Sequence, residues 1–109
     1  MKKYCYIDGN KFEYNLVSEL RKECKKYGVK IGNDVEIGND VEIRNGVEIG
    51  NYAKIGHAVK IGNDVEIGNG VEIGNGVEIG NDVKILKSLI LKGTKHFVYW
   101  FGTNEIKIG

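Results

Sequence analysis

The sequence predicts an all-β fold, a parallel β-helix of about three to four coils, and three observations carry that prediction. From Val29 to Asp82 a six-residue phrase runs nine times without a break: VKIGND, VEIGND, VEIRNG, VEIGNY, AKIGHA, VKIGND, VEIGNG, VEIGNG, VEIGND. Every sixth residue from Ile31 to Ile85 is Ile, with Val two positions before it (Ala53 once). The residues after each Ile are mostly Gly, Asn and Asp. Val and Ile at i and i+2 share one face of a short strand, and the Glu or Lys between them points to the other face. Gly-Asn-Asp or Gly-Asn-Gly then supplies residues that tolerate the positive φ of a tight turn. A short strand plus a corner, repeated at a fixed short period, marks a solenoid rather than a meander.

The phrase resembles the hexapeptide-repeat family (Ile-Gly-x-x-Val-x), and the resemblance covers slightly over half of the chain. It implies a left-handed triangular prism with three hexads per coil; the general rule for β crossovers would favour the right-handed form. The charges between Val and Ile offer a partial check. If residues 18 apart stack, the three faces read Glu36–Lys54–Glu72, Glu42–Lys60–Glu78 and Lys30–Glu48–Glu66–Lys84, and six of the seven steps pair opposite signs. A 24-residue coil gives two of six. A 12-residue coil gives six of eight, so charge alone barely separates it from 18 and the resemblance decides. The inner ladders are then Ile31/Ile49/Ile67/Ile85, Ile37/Ile55/Ile73/Leu91 and Ile43/Ile61/Ile79. Asn33/Asn51/Asn69 and Asn45/Asn63/Asn81 form corner ladders.

The segments on either side read as caps, which gives three parts of one domain: 1–28, 29–91 and 92–109. Lys3–Ile7 and Lys11–Tyr14 around Asp8-Gly9-Asn10 suggest a hairpin. Asn15 can N-cap a helix running through Tyr27, with Gly28 just beyond its end. Leu16, Val17, Leu20, Cys24 and Tyr27 share one side of that helix, while Arg21, Lys22, Lys25 and Lys26 face water. The helix plugs the N-terminal end of the prism. Leu89 and Leu91 hold the register for one more strand. His96–Phe101 and Glu105–Ile108 around Gly102-Thr103-Asn104 read as a second hairpin. Phe97, Tyr99 and Phe101 alternate with Val98 and Trp100, so both faces of this strand are apolar. One face can cover the coil end; the other calls for a second subunit, with Phe97, Tyr99, Trp100 and Phe101 at the interface. A homotrimer is expected, as is the family's habit.

Length and charge narrow the functional classes. With 109 residues and three full coils the core is narrow, and such a prism is marginal alone. The net charge of +1 conceals a pattern: residues 1–28 carry +3, residues 29–85 carry −5 and residues 86–109 carry +3. An acidic barrel with basic ends offers no nucleic-acid track. No stretch approaches the ~20 apolar residues of a membrane span, and the N-terminus lacks a signal peptide's apolar core. Cys5 and Cys24 lack metal-ligand spacing and read as a reduced pair, which suits a cytoplasmic protein.

Candidate chemistry rests on three departures from the phrase: Arg44 for Gly, Tyr52 for Asp or Gly, and His57 for Asn. In the acyltransferases that the repeat resembles, a histidine acts as general base on an acceptor hydroxyl or amine in a cleft between subunits. The resemblance implies that role for His57, with acetyl-CoA as donor, and imidazole chemistry suits it. The plainer alternative is that His57 replaces Asn in the Asn39–Asn75 corner ladder, Arg44 is a solvated charge and Tyr52 packs over a corner. The three lie at different corners, so one small ligand could meet them all only between subunits. No phosphate-binding glycine loop is present. The γ-class carbonic anhydrases of this fold hold zinc with three histidines, whereas this chain has only His57 and His96. Asp64 and Asp82 would stack, but two carboxylates make a weak cation site, and no metal is expected. The chain also lacks the long loop that protrudes from the acyltransferase helix, and three coils leave little wall for coenzyme A. The layout further resembles small hexapeptide-repeat proteins of phages and gut bacteria, a likeness that assigns no chemistry. The expected function is therefore a non-catalytic, self-associating β-helix: a scaffold, or a phage-type module holding a small ligand between subunits, with no resident cofactor. The alternative is an acetyl-CoA-dependent O- or N-acyltransferase with His57 as general base.

Overall fold

In a computed structural model, residues 3–85 are described in full and the strands Ile90–Leu91, Phe97–Trp100 and Ile106–Ile108 by their backbone. The chain opens with a hairpin, β1 (Lys3–Ile7) and β2 (Asn10–Tyr14), followed by helix α1 (Val17–Cys24) and a 3-10 turn (Lys25–Tyr27). Then come the hexad strands: β3 (Lys30–Ile31), β4 (Glu36–Ile37), β5 (Val41–Ile43), β6 (Glu48–Ile49), β7 (Lys54–Ile55), β8 (Lys60–Ile61), β9 (Glu66–Ile67), β10 (Glu72–Ile73), β11 (Glu78–Ile79) and β12 (Lys84–Ile85). Strands β13 (Ile90–Leu91), β14 (Phe97–Trp100) and β15 (Ile106–Ile108) complete the order.

The strands stack in three sheets, β3-β6-β9-β12, β4-β7-β10-β13 and β2-β1-β5-β8-β11-β14-β15. Each hexad strand from β3 to β10 pairs in parallel with the one 18 residues on, as in Glu36↔Lys54↔Glu72 and Glu42↔Lys60↔Glu78, and β11 pairs with β14 at an offset of 19 (Glu78↔Phe97). The fold is thus a three-sided parallel β-helix of about three coils, consistent with the left-handed form expected. Leu91 stands opposite Ile73, extending that ladder as anticipated. At the hexads' Val positions Val29 to Val83, Ala53 included, and every Ile from Ile37 to Ile85 are buried and make one core; Ile31, in the first coil, is half-buried against it.

All six opposite-sign steps form ion pairs, with N···O distances from 3.6 Å for Lys30–Glu48 and Lys84–Glu66 to 4.0 Å for Lys54–Glu72. The like-charged step, Glu48 opposite Glu66, is flanked by those two lysines. These side chains are largely open to water, so each pair contributes about 0.2–1 kcal/mol.

Corners obey two backbone rules. A Cβ on Gly32 would lie 2.5 Å from Asn51 Oδ1 and 2.7 Å from its N, so the next coil resists any side chain there. The third corner residue is left-handed in every hexad, with φ between 55° and 74°. Asp and Gly tolerate that region; Tyr52 (φ 63°) and Ala58 (φ 57°) occupy it at a cost of roughly 1 kcal/mol. Asparagine closes the corner: Asn33 N–H donates to Asn51 Oδ1 (2.8 Å), Asn51 N–H to Asn69 Oδ1 (2.7 Å) and Asn63 N–H to Asn81 Oδ1 (2.8 Å).

The first coil would leave backbone groups unpaired, and the N-terminal segment covers all three sides. Strand β1 adds to β5 in parallel, and Asp8 N–H donates to Ile43 O at 2.7 Å. The buried Tyr14 hydroxyl lies 2.8 Å from Ile37 O and 2.9 Å from Gly38 O, within reach of both acceptors above β4. Arg21 Nη2 donates to Gly32 O beyond β3. Helix α1 packs on β2 and β3, with Leu20 and Cys24 in the core.

Several expectations need correction. The hairpin turn is Asp8-Gly9, both residues at positive φ, and Asn10 already belongs to β2. The N-cap is Leu16 rather than Asn15, because the Glu19 carboxylate takes both free amides, Asn15 N–H at 3.1 Å and Leu16 N–H at 2.8 Å. Regular helix stops at Cys24, and Gly28 follows the 3-10 turn with φ 69°. Leu16 is exposed instead of sharing the buried side, and Arg21 is half-buried on its carbonyl instead of facing water. Strand β14 joins the edge of β11 in the plane of its sheet and pairs antiparallel with β15, so the second hairpin extends a face. Leu89, His96, Phe101 and the expected Gly102-Thr103-Asn104 turn lie outside the described residues, as do the side chains of Phe97, Tyr99 and Trp100. No helix among the described residues is long and apolar enough to cross a membrane.

Two predictions follow from the register and the cap. Lys54→Glu places a third carboxylate between Glu36 and Glu72; stability should fall by about 1 kcal/mol at low salt, recovering partly with added salt or with Glu36→Lys in the same chain. Denaturation midpoints of the two single variants and the double variant measure this, and purely additive effects would contradict the pairing. The second concerns pH. Burial, and secondarily the neighbouring Cys24, push the Cys5 thiol from an ordinary 9.0 up to about 12. Burial, with Glu23 second, pushes Cys24 up to about 11. The folded chain holds both thiols neutral while the unfolded chain ionises them, so stability is intact below pH 9.0 and declines as pH rises towards 11 and 12. Denaturation at stepped alkaline pH should show this slope, and Cys5→Ala with Cys24→Ala should flatten its lower part.

Candidate functional site

The three departures from the repeat stand at three different corners, and the chain does not bring them together. His57 belongs to the corner after Ile55, Arg44 to the one after Ile43 and Tyr52 to the one after Ile49. Each lines a separate groove: His57 with Lys3, Glu36, Lys54 and Glu72; Arg44 with Glu42, Lys60 and Glu78; Tyr52 with Leu16, Arg21 and Asp34.

His57 occupies an asparagine's place in an interstrand chain of hydrogen bonds. Tyr4 N–H donates to Asn39 Oδ1 at 2.9 Å, Asn39 N–H donates to His57 Nδ1 at 2.8 Å, and His57 N–H donates to Asn75 Oδ1 at 2.7 Å. An imidazole nitrogen that accepts from an amide carries no proton, so the neutral ring holds its proton on Nε2. Nε2 is then a donor. A general base working through Nε2 requires the opposite tautomer, with Nδ1–H donating to an orienting carbonyl or carboxylate.

Arg44 replaces a glycine where a Cβ is resisted. Its N–H to Ile61 O distance is 3.1 Å, against 2.6–2.9 Å for the same bond at Gly32, Gly38, Gly50, Gly56, Gly62 and Gly68. The side chain is exposed and runs towards the Asp8-Gly9 turn, Nη1 lying 4.0 Å from where a Cβ on Gly9 would sit. Tyr52 is exposed on its left-handed corner. Asp64 folds over Gly46, its Oδ1 occupying the space of an absent Cβ. Among the described residues no three His, Cys, Asp or Glu side chains gather in a way that could hold a metal ion.

Two residues beside Tyr52 stand where the sequence pattern does not place them. The pattern places Arg21 in water and Leu16 on the buried side, yet both line the Tyr52 groove. The available signal was Leu16 preceding Val17, at a helix start where Glu19 rather than Asn15 supplies the cap.

Residues 28–60 match the family model described as bacterial transferase hexapeptide (six repeats). No curated protein matches the chain. Among solved structures, a serine acetyltransferase isoform 3 from Entamoeba histolytica, in complex with cysteine, is 22% identical with a TM-score of 0.42, over 82% of this chain and 42% of that one. The chain thus spans less than half the length of that protein. With nine hexads wound three to a coil, the chain is a three-sided parallel β-helix whose residues 28–60 match that hexapeptide model.

Proposed function

We propose that this chain is a non-catalytic, self-associating β-helix that serves as a scaffold in a reducing compartment such as the cytoplasm, without a resident cofactor. The observation that carries this reading is the polarity of the His57 hydrogen bonds: Nδ1 accepts from Asn39 N–H while the residue's own N–H donates to Asn75 Oδ1. That arrangement makes the ring a rung of the corner ladder and supplies nothing that would turn Nε2 into a base. Self-association is supported by the apolar composition of Phe97–Phe101, and the homotrimer is the assembly proposed. In such a trimer Phe97, Tyr99, Trp100 and Phe101 would lie at the interface, and Arg44, Tyr52 and His57 could meet around one ligand only between subunits. Two buried free cysteines suit a reducing compartment.

The second reading, acetyl-CoA-dependent acyl transfer with His57 as base, is favoured by the exposure of His57 on a groove of about 610 Å³. One calorimetric titration with acetyl-CoA separates the two. The scaffold reading expects no saturable binding and no acetyl transfer to hydroxyl or amine acceptors. His57→Asn should leave stability unchanged or slightly raised, since asparagine restores the phrase. Turnover that disappears in His57→Asn while the fold survives would establish the acyltransferase instead. Self-association is checked by light scattering at micromolar concentration, where a trimer mass is expected and a monomer mass would refute it.

A further inference from the structure

We propose that the cleft between the start of α1 and the Asn33–Tyr52 corner binds a small apolar zwitterion, a free amino acid with an aromatic or large aliphatic side chain. Four observations meet there. Leu16 (66% exposed) and Tyr52 (63%) are the exposed large hydrophobic residues of the described chain, and both line this cleft although 36 positions separate them. Tyr52 sits at a left-handed corner, φ 63°, where seven of the other eight hexads place Asp or Gly. Strain held at one bulky, exposed side chain is a pointer to use rather than to folding. Arg21 is half-buried with Nη2 committed to Gly32 O, and its Nε is the buried side-chain polar atom that has no partner among the described residues. The guanidinium brings a positive charge to one wall of the cleft. Finally, Asp34 brings an exposed carboxylate to the same cleft.

The cleft is an open groove of about 520 Å³, a volume suited to a small molecule. It differs in kind from the grooves on the three flat faces, which are lined by the Glu and Lys ladders. Leu16, Val17 and the Tyr52 ring form apolar walls, and the charges are one cation and one anion. A simple carboxylate would suit Arg21 and be repelled by Asp34; a simple amine would suit Asp34 and be repelled by Arg21. A molecule carrying both groups beside an apolar body matches the whole lining. The cleft is complete within one chain, so it stands independently of the trimer and of acyl transfer.

The test titrates L-phenylalanine into the full chain and follows the Leu16 methyl and Tyr52 ring signals by NMR. Saturable shifts at both residues are expected. N-acetyl-L-phenylalanine, which lacks the ammonium, and phenethylamine, which lacks the carboxylate, should each bind about tenfold more weakly or worse. Tyr52→Gly should cost a similar factor while its thermal midpoint holds or rises, because glycine suits the corner; folding and binding are thereby read separately. Asp34→Asn should bring phenylalanine down towards the affinity of its N-acetyl derivative. Absence of saturable shifts up to the solubility limit of phenylalanine would overturn the site. Equal binding of either single-charge analogue would overturn the zwitterion assignment, and undiminished binding by Tyr52→Gly would overturn the location.

Discussion

Backbone-to-backbone contact at the corners is the constraint on which the rest of this structure depends. Coils can pack at sheet spacing only if the chain at one corner lies directly against the chain 18 residues on. The glycine that opens each corner leaves the space that the next coil's asparagine carbonyl fills, as Asn51 Oδ1 does beside Gly32. Glycine and asparagine are therefore one device split between two coils: the first clears room, and the second satisfies the amide that the turn exposes. Arg44 shows the tolerance of that device, since a side chain there accompanies a longer ladder bond to Ile61.

Division of labour between the inside and the outside of the prism follows. Val and Ile form continuous buried ladders, which make the largest favourable contribution and fix which face points inward. The Glu and Lys ladders outside are too exposed to water to contribute more than a minor share. Their sign alternation counts against a 24-residue coil and leaves the choice of 18 to the corners and the core. The first coil carries the heaviest burden, because its carbonyls have no preceding coil. Its three sides are closed by three different chemistries: a strand, a tyrosine hydroxyl and a guanidinium.

The repeat made most of the fold legible. Period, inward face, 18-residue register and corner ladders all stem from local spacing, and near-identical phrases multiply the same signal. The Asp8-Gly9 turn and Gly28 were legible for the same reason, as positions that need positive φ. What was not legible depends on where a helix lands against an edge. Nothing local reveals that Arg21 finds the Gly32 carbonyl, or that Glu19 rather than Asn15 caps the helix and leaves Leu16 outside. His57 as a substitute for asparagine could be read from its place in the phrase. Which ring nitrogen accepts could not, because that follows from the amide it meets on the neighbouring coil.

Both hairpins dock on one and the same side of the prism, β1 against β5 and β14 against β11. That shared side gives the gene a rule for changing length. Near-identical repeats invite replication slippage, and slippage by one hexad would keep every strand sound while turning the far end by a third of a turn. The closing hairpin would keep β11 as its partner but lie on a different side from the opening one. Slippage by three hexads restores the alignment and adds a whole coil. Length changes in steps of 18 residues therefore keep both hairpins on one side of the prism, whereas other steps turn one hairpin relative to the other.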